Sequence, residues 1–214
     1  MIKLDKGFLI TLEGIDGSGK STLANHLNFQ LTQLGYPTVL TKEPGGTPLG
    51  KKLRPILQEK DVAVCAQAEY LLFAADRAQH FHEVIIPNLM QKKIIISDRM
   101  ADSSLVYQGY GRGLDKTIIS TVNAWAMQQI KPNLTIYVKI PAQIALQRLR
   151  QSRPALTSFE KEGSDFLEKL IAGFSDVFKD RPHVLELDGT QSPEQLTKDA
   201  LAAIQNLITL NNHE

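Results

Sequence analysis

The amino-acid sequence predicts a three-layer α/β/α sandwich around a five-stranded parallel sheet. Short runs rich in Ile, Val and Leu alternate along the chain with longer segments of helical periodicity. Parallel strands that helices cover on both faces have this nearly continuous apolar character, and the alternation is typical of α/β folds. A chain of 214 residues is long enough for one well-buried domain, so we expect a single domain over residues 1–214.

Each predicted strand is a short apolar run bounded by polar or turn-forming residues. The predicted strands are residues 8–12, 38–41, 94–97, 134–138 and 184–187. The predicted helices are residues 20–34, 49–58, 66–91, 115–129, 141–150, 164–178 and 193–210. Two segments depart from this rhythm: a Gly- and Pro-rich loop at 43–50 and a polar, charged segment at about 150–163. We expect the second segment to form a short lid.

Composition and charge exclude several classes of partner. The formal net charge of +1 gives no general field for nucleic acid or for an anionic membrane, and we expect neither as a partner. We find no signal-peptide pattern and no apolar run of about eighteen residues, so we expect a cytoplasmic protein. Cys65, the one cysteine, has apolar neighbours and is predicted to be a buried or half-buried thiol.

The strongest motif has the form G-x-x-x-x-G-K-[ST] and stands between a predicted strand and a predicted helix. Its glycines let backbone N–H groups face bound phosphates, while Lys20 can reach the β- and γ-phosphates and Ser21 can join a Mg²⁺ shell. The motif predicts a P-loop NTPase fold that binds ATP with Mg²⁺. The residues of this segment predicted to bind ATP are Gly14, Ile15, Asp16, Gly17, Ser18, Gly19, Lys20, Ser21 and Thr22.

A polar pair, Asp98-Arg99, directly follows the predicted strand 94–97, at the same edge of the sheet as the P-loop. A carboxylate at this place can orient a hydrated metal ion, and an arginine can clamp phosphate with its planar fork. From these residues alone, the alternative is that Asp98 caps the next helix and pairs with Arg99 on the surface. A P-loop by itself fits GTPases, motor ATPases and small-molecule kinases alike.

Five blocks of sequence, taken in order, resemble the thymidylate kinase family of the bacterial type. The blocks are residues 13–22, residues 43–50 with Arg54, residues 71–77, Asp98-Arg99 continuing through 103–113, and residues 188–190. The resemblance covers roughly residues 8–190. It implies a homodimeric enzyme that transfers the γ-phosphoryl group of ATP to dTMP with the help of Mg²⁺.

The resemblance also implies which residues meet the thymine ring. Phe73 and Arg77 stand at i and i+4 on one helical face, and the resemblance gives them stacking on the base and hydrogen bonding to it. From the residues alone, Phe73 can equally be a core residue and Arg77 the partner of Asp76, Glu69 or another carboxylate. The same spacing lets Ser104 and Gln108 present polar groups to one ring edge.

For the sugar, Tyr107 matches a family tyrosine that lies near the 2′ carbon and excludes a ribose hydroxyl. The alternative for Tyr107 is a core tyrosine with a bonded hydroxyl. Asp16 is similar to a carboxylate that holds the acceptor sugar and the metal shell, and Glu43 is expected to support the acceptor loop. The full set expected to bind dTMP is Asp16, Glu43, Pro44, Arg54, Phe73, Arg77, Arg99, Ser103, Ser104, Tyr107 and Gln108.

Thymidylate kinases carry a catalytic arginine in the P-loop or in the lid. The P-loop here has no basic residue at its variable positions, whereas Arg148, Arg150 and Arg153 lie on or just before the lid. The chain therefore resembles the lid-arginine subtype, with Arg153 at the transferring phosphates and Arg148 near the adenine. The alternative is a solvated basic helix face.

The resemblance completes three sets of expected site residues. The catalytic set is Lys20, Arg99, Arg153 and Asp16, and the metal set is Ser21 and Asp98. The remaining residues expected to bind ATP are Arg148, Asp188, Gly189 and Thr190.

Two positions depart from the family pattern. Thr157-Ser158 stand before Glu160 where such lids usually carry an Asp-Arg pair, and Lys139 ends a strand where the family commonly has aspartate. These changes leave open whether donor contacts are weaker, the lid is looser or the salt bridges are rearranged.

Other functions stay open from the sequence. One is a different nucleoside monophosphate or deoxynucleoside kinase that acts on dCMP or UMP. Another is a non-catalytic regulatory P-loop protein such as a GTP-driven switch, although the chain has no Asn-Lys-x-Asp-like signature for guanine. His80 and His82 are expected to point apart on a helix, so no zinc site is predicted.

Overall fold

The computed structural model describes residues 2–58, 63–152 and 163–211. Within them, five parallel strands form one sheet in the order β2-β3-β1-β4-β5. Helices pack on both sides of the sheet, which confirms the predicted α/β/α sandwich. The strands are β1 Phe8–Glu13, β2 Thr38–Lys42, β3 Ile94–Asp98, β4 Leu134–Lys139 and β5 Val184–Asp188.

The helices follow the predicted alternation, with differences in two places. They are α1 Lys20–Gln33, α2 Pro48–Gln58, α3 Ala66–His80, α4 Ile86–Met90, α5 Ala101–Ser104, α6 Lys116–Ala126, α7 Ala142–Ser152, α8 Ser164–Phe178 and α9 Pro193–Asn211.

The first difference is that the predicted helix 66–91 is not continuous. α3 ends at His80, a wide π-type turn covers Phe81–Ile85, and α4 begins at Ile86. Pro87 explains the wide turn. Its ring would clash with the carbonyl of residue 83 in a regular α-helix, and its nitrogen has no hydrogen to donate.

The second difference is a helical segment that was not predicted. α5 continues into a π-type turn, Leu105–Gly111, which carries several of the expected acceptor residues. Gly109 and Gly111 lower the helical propensity of this stretch, which hides it from a reading of the sequence.

The central strand β1 is buried along its whole length. Ile10 pairs with Ile96 of β3 and with Leu134 of β4. Because side chains alternate between the two faces of a strand, Ile10 packs with α1 and α9 while Leu9 packs with Phe81 on the other face. The two core layers thus cover opposite faces of the sheet.

The carboxyl ends of β1, β2 and β3 lie at one edge of the sheet because the strands are parallel. β1 leads into residues 14–19, β2 into the loop 43–47 and β3 into Arg99. Ligands of open α/β sheets bind at this edge. The fold therefore brings the sequence blocks of the expected site together.

The prediction for Cys65 is wrong. Its side chain is exposed, because it stands in the extended N-cap position of α3 and not within the helix. None of the helices in the described ranges is long and apolar enough to cross a membrane.

Candidate active site

The P-loop is a tight connection between β1 and α1. Gly14 and Gly17 have φ angles of 141° and 81°, which side chains rarely adopt. A Cβ atom at Gly14 would lie 2.5 Å from the carbonyl oxygen of Val138, and one at Gly17 would lie 2.8 Å from that of Ala145. Both positions therefore require glycine, and the loop can curl its N–H groups inward.

Lys20 is buried at the base of this loop. Its Nζ donates to the carbonyl oxygen of Ile15 at 2.7 Å and to Ser18 Oγ at 3.2 Å. Burial lowers the pKa of Lys20 to about 8, and the charge of Arg99 adds to this effect. Bound phosphate oxygens would replace these partners and favour the charged amine.

Ser21 and Asp98 meet at the first turn of α1. The Ser21 Oγ donates to Asp98 Oδ2 at 2.5 Å. A hydroxyl and a carboxylate side by side are hard oxygen ligands, the kind that Mg²⁺ prefers, and few are needed because Mg²⁺ keeps several waters and phosphate ligands. In the described residues no group of three or more His, Cys, Asp and Glu is arranged to hold a metal ion. The pair therefore fits a phosphate-bound Mg²⁺.

Arg99 directs its guanidinium fork into the site. Nη1 donates to the carbonyl oxygen of Gly14 and to Ser103 Oγ, each at 2.9 Å. Nη2 donates to Asp16 Oδ1 at 2.7 Å and to the Tyr107 hydroxyl at 3.1 Å. Its backbone has a φ of 73°, a left-handed conformation that turns the chain sharply after β3.

The alternative for Asp98-Arg99, in which Asp98 caps the next helix and pairs with Arg99 on the surface, does not agree with this geometry. Arg99 pairs with Asp16 and not with Asp98, and the N-cap position of α5 is Met100. The fork thus lies against the P-loop, where phosphates would bind.

Tyr107 and Asp16 form the wall beside this fork. The Tyr107 hydroxyl donates to Asp16 Oδ2 at 3.2 Å, and the ring has edge contacts with Phe166 at 6.5 Å between centroids. Burial alone would raise the pKa of Asp16, but Arg99 and Lys20 outweigh it and lower that pKa. Tyr107 is a buried tyrosine with a bonded hydroxyl, as the alternative has it, and its side chain also lines the cleft.

A cleft of about 850 Å³ joins the P-loop to the acceptor residues. It contains most of the predicted site residues. Those that line it are Asp16, Gly17, Gly19, Lys20, Ser21, Thr22, Glu43, Pro44, Arg54, Phe73, Arg77, Asp98, Arg99, Ser103, Ser104, Tyr107, Gln108 and Arg148.

Phe73 and Arg77 lie on the same side of this cleft, as their spacing predicts. Phe73 also packs against the core cluster of α8, so it serves the core and the cleft together. Arg77 is 1% exposed. Its Nη1 donates to Asn123 Oδ1 at 2.7 Å, and its Nη2 donates to Ser104 Oγ at 3.0 Å and to the Met100 carbonyl oxygen at 3.1 Å.

The carboxylate partner of Arg77 is Glu43. Arg77 Nε donates to Glu43 Oε2 and His80 Nδ1 lies against Glu43 Oε1, both at 2.9 Å. An ionised carboxylate only accepts, so Nδ1 of His80 carries its hydrogen. His80 Nε2 lies 2.7 Å from Thr41 Oγ1. Burial would raise the pKa of Glu43, but the charge of Arg77 and the hydrogen bond with His80 outweigh it and lower that pKa.

Replacing Glu43 by glutamine is expected to lower the free energy of unfolding by about 3–5 kcal/mol, because Arg77 stays buried without its counter-charge. Urea unfolding at pH 7 measures the change. Glu186→Gln is the control, since Glu186 forms an exposed pair with Lys139 at 2.8 Å and such pairs contribute about 1 kcal/mol or less. Equal changes in the two variants would contradict the prediction.

The pH dependence of this contribution has a definite sign. Because the folded-state pKa of Glu43 is lowered, its stabilisation is fully present above the ordinary value of 4.5. It is lost as the pH falls below that value through the lowered pKa. The difference between wild type and Glu43→Gln is therefore expected to shrink in acid.

The Gly- and Pro-rich loop is held from two helices. Asp76 Oδ1 accepts from the Gly45 N–H at 3.1 Å, and Arg54 Nη1 donates to the Pro44 carbonyl oxygen at 2.6 Å. A Cβ atom at Gly50 would lie 2.0 Å from Asp76 Oδ1, so a side chain there would displace this carboxylate from the Gly45 N–H. Burial, reinforced by a neighbouring carboxylate, raises the pKa of Asp76 to about 6. The loop is thus fixed before any ligand binds.

A second cavity of about 280 Å³ lies on the other side of the P-loop. Ser18, Arg148 and Gly189 line it, and Arg148 Nη1 donates to the Ser18 carbonyl oxygen at 3.5 Å. Asp188 and Thr190 close the turn around Gly189, because Asp188 Oδ1 accepts from the Thr190 N–H at 3.0 Å and from its hydroxyl at 2.7 Å. The cavity borders the P-loop at Ser18 and Gly19.

A family model described as thymidylate kinase matches residues 12–200. The chain belongs to the thymidylate kinase family. Curated thymidylate kinases of Halothermothrix orenii and Carboxydothermus hydrogenoformans are each 40% identical to it, over 91% and 89% of this chain and 94% and 93% of those proteins. A crystal structure of thymidylate kinase from Ehrlichia chaffeensis superposes with a TM-score of 0.76 at 32% identity, covering 94% of this chain and 99% of that chain. The family resemblance is confirmed.

Part of the thymidylate kinase pattern lies outside the described residues. Arg153, the expected catalytic arginine of the lid, belongs to residues 153–162, as do Thr157, Ser158 and Glu160. Arg150 is exposed near the end of α7. The expectations for the lid remain predictions.

Lys139, the other departure from the family pattern, forms an ion pair with Glu186. The two side chains are 2.8 Å apart on neighbouring strands, and both are roughly half exposed. The Lys139 carbonyl oxygen also accepts from the Gly189 N–H at 2.8 Å. Lys139 thus has its own carboxylate partner, next to the turn at Gly189 that lines the second cavity.

Sequence reasoning missed a buried carboxylate beneath the site, Glu13. Its Oε1 accepts from the Met100 N–H at 2.8 Å and its Oε2 from Ser103 Oγ at 2.5 Å. Burial raises the pKa of Glu13 to about 7, and the charge of Asp102 adds to this. The available signal was a charged residue at the end of a buried strand. Ser103 Oγ also accepts from Arg99, so Glu13 supports the orientation of the fork.

Proposed function

We propose that this chain transfers the γ-phosphoryl group of ATP to dTMP, with dTDP and ADP as products. The observation that carries the proposal is one cleft that joins a P-loop to a pocket with two aromatic rings, several arginines and several hydroxyl and amide groups. Phosphoryl transfer needs donor and acceptor phosphates aligned in one place. Membership of the thymidylate kinase family supports dTMP as the acceptor.

The acceptor base is proposed to lie between α3 and the helical segment 101–111. Phe73 provides a flat apolar face on which the base can stack. Arg77 Nη2 and Ser104 Oγ, 3.0 Å apart, are proposed to meet the polar edge of the same base. Arg77 is locked by its buried partners, so it offers its donor to a ligand without losing further side-chain entropy. A rigid donor of this kind suits a carbonyl oxygen such as O4 of thymine.

The acceptor sugar is proposed to lie against Tyr107. The ring is packed against Phe166, and its hydroxyl is held between Asp16 and Arg99. A packed ring in this place would exclude a 2′-hydroxyl, which is why we propose a deoxynucleotide acceptor.

The chemistry requires no general base. A phosphate monoester has a second pKa of about 6, so most of the acceptor is a dianion at pH 7. The difficulty is the repulsion between phosphates, which Lys20, the P-loop N–H groups and Arg99 relieve. Mg²⁺, when bound, supplies further positive charge, and Ser21 and Asp98 are the residues that would hold it. Arg153 is proposed to add a donor when the lid closes and excludes water.

We also propose a cytoplasmic homodimer. Leu71 on α3 and Ile118 and Trp125 on α6 are strongly exposed apolar side chains, with Trp125 at 74%. α3 and α6 pack against each other, so these exposed residues lie on neighbouring helices. An apolar surface of this kind supports association with a second copy of the chain.

Incubation of the purified protein with ATP and Mg²⁺ and one acceptor at a time tests the proposed function. The acceptors are dTMP, dUMP, dCMP, UMP and dGMP, and the measurements are ADP formation and product identity. We expect fast turnover of dTMP, slower turnover of dUMP and little of UMP, with loss of turnover when EDTA removes Mg²⁺. Preference for dCMP or UMP would replace dTMP as the acceptor, and ATP binding without transfer would remove the kinase assignment.

A further inference from the structure

Gln108 has one amide atom with a partner and one without. Its Nε2 donates to Glu69 Oε1 at 2.9 Å. Among the described residues, its Oε1 is one of two buried side-chain oxygens that lack a hydrogen-bond partner. Buried polar atoms are nearly always paired in folded proteins. Because Gln108 lines the cleft, a ligand is the natural partner of this oxygen.

Glu69 decides which way the Gln108 amide faces. An ionised carboxylate only accepts hydrogen bonds, so it must be met by the NH₂ group of the amide and not by its carbonyl. Glu69 is itself held, since Arg112 Nη2 lies 3.5 Å from its second oxygen. The amide orientation is therefore set by the carboxylate, and the carbonyl oxygen is left as the atom for a ligand.

We propose that Glu69 determines the base specificity of the acceptor site by holding the Gln108 carbonyl oxygen as a hydrogen-bond acceptor. This inference rests on the proposed function, because it assigns the base edge that the same site recognises. Thymine and uracil carry a hydrogen on N3 and can donate it to Gln108 Oε1. The N3 atom of cytosine is an acceptor, and two acceptors facing each other without a proton are repelled.

The geometry separates this role from a merely structural one. Glu69 lies on α3 and Gln108 on the segment 105–111, so their bond also ties two elements together. If the Glu69–Gln108 bond only held the two elements together, its loss would lower kcat/KM for all acceptor nucleotides by a similar factor. A lost orientation of the amide changes the ratio between bases, because the carbonyl and the NH₂ group can then exchange places.

Glu69→Gln tests the inference, because the new amide can donate to the Gln108 carbonyl as well as accept from its NH₂ group. We expect the ratio of kcat/KM for dTMP to that for dCMP to fall about tenfold to a hundredfold, the effect of one buried hydrogen bond. The matched control is Glu83→Gln, since Glu83 accepts from Gln79 in the same kind of pair on the surface. This control is expected to leave the ratio unchanged.

A second measurement on the unaltered protein guards against a variant that does not fold. N3-methyl-dTMP lacks the N3 hydrogen and is expected to have a kcat/KM at least a hundredfold below that of dTMP. If wild type converts dTMP but uses the methylated analogue equally well, or if Glu69→Gln folds and keeps its ratio, the inference is overturned while the proposed function stands. If wild type does not convert dTMP at all, the proposed function fails first.

Discussion

Replacing Arg99 by methionine is expected to lower kcat/KM for dTMP by about 10²- to 10³-fold, the usual cost of one preorganised donor at a reacting anion. The reason is the position of the fork. Arg99 contacts the backbone of the P-loop, Asp16 and Tyr107 at once, so it stands between the donor phosphates and the acceptor pocket. KM for ATP is expected to change much less.

Two further variants sharpen this prediction. Arg99→Lys is expected to recover little, because a lysine has one point of charge in place of a planar fork with several donors. Arg181→Met is the control, since Arg181 pairs with Asp102 at 2.7 Å and does not line the cleft. A variant Arg99→Met with wild-type kcat/KM would show that the fork has only a structural role.

Replacing Lys20 by methionine is expected to lower kcat by about 10²- to 10³-fold. The buried amine has no role in packing the core and sits among polar atoms of the P-loop, Ile15 O and Ser18 Oγ. Phosphates that replace these two partners would meet the positive charge of the amine directly. A steady-state assay with saturating ATP and dTMP measures the loss, and near wild-type turnover would contradict the assignment.

The pH dependence of ATP binding gives a second test of Lys20. With a pKa of about 8 in the free protein, the amine loses its proton as the pH rises, whereas bound phosphates favour the charged form. We therefore expect the affinity for a non-hydrolysable ATP analogue to fall about tenfold between pH 7 and pH 9. Calorimetry measures it, and Lys20→Met is expected to abolish the slope above pH 8.

Glu13 is the neighbouring group that could produce a similar effect. Its pKa of about 7 means that it gains negative charge as the pH rises. Glu13→Gln separates the two groups, because it removes the titration near pH 7 and leaves that of Lys20. A slope above pH 8 that persists in Lys20→Met would assign the effect elsewhere.

The sheet and the P-loop could be predicted because their signals are local. A parallel strand buried on both faces is a continuous apolar run. The predicted strand 94–97 therefore agrees with the observed β3, Ile94–Asp98, to within one residue. The P-loop is a string of consecutive residues with a fixed spacing. In both cases the residues that determine the local structure are neighbours in the sequence.

The buried polar contacts around Glu43 could not be predicted from the sequence, because they are not local. Glu43, Arg77 and His80 come from a loop after β2 and from the end of α3, and no spacing rule links them. From the sequence alone, His80 bears only on the question of a zinc site. Partner choice in buried polar clusters depends on the packing of whole elements, which a single sequence does not display.

The strand order has a consequence for the way the chain folds. β1 precedes both of its neighbours, β3 and β4, by a long stretch of chain, so Ile10 can pair with Ile96 and Leu134 only after that stretch has been synthesised. Pairings so distant along the chain form slowly, because long loops must close before the contacts stabilise them. A nascent chain that ends before β4 therefore contains the P-loop residues, but β1, which leads into them, still lacks one of its neighbouring strands. We expect nucleotide binding only late in folding.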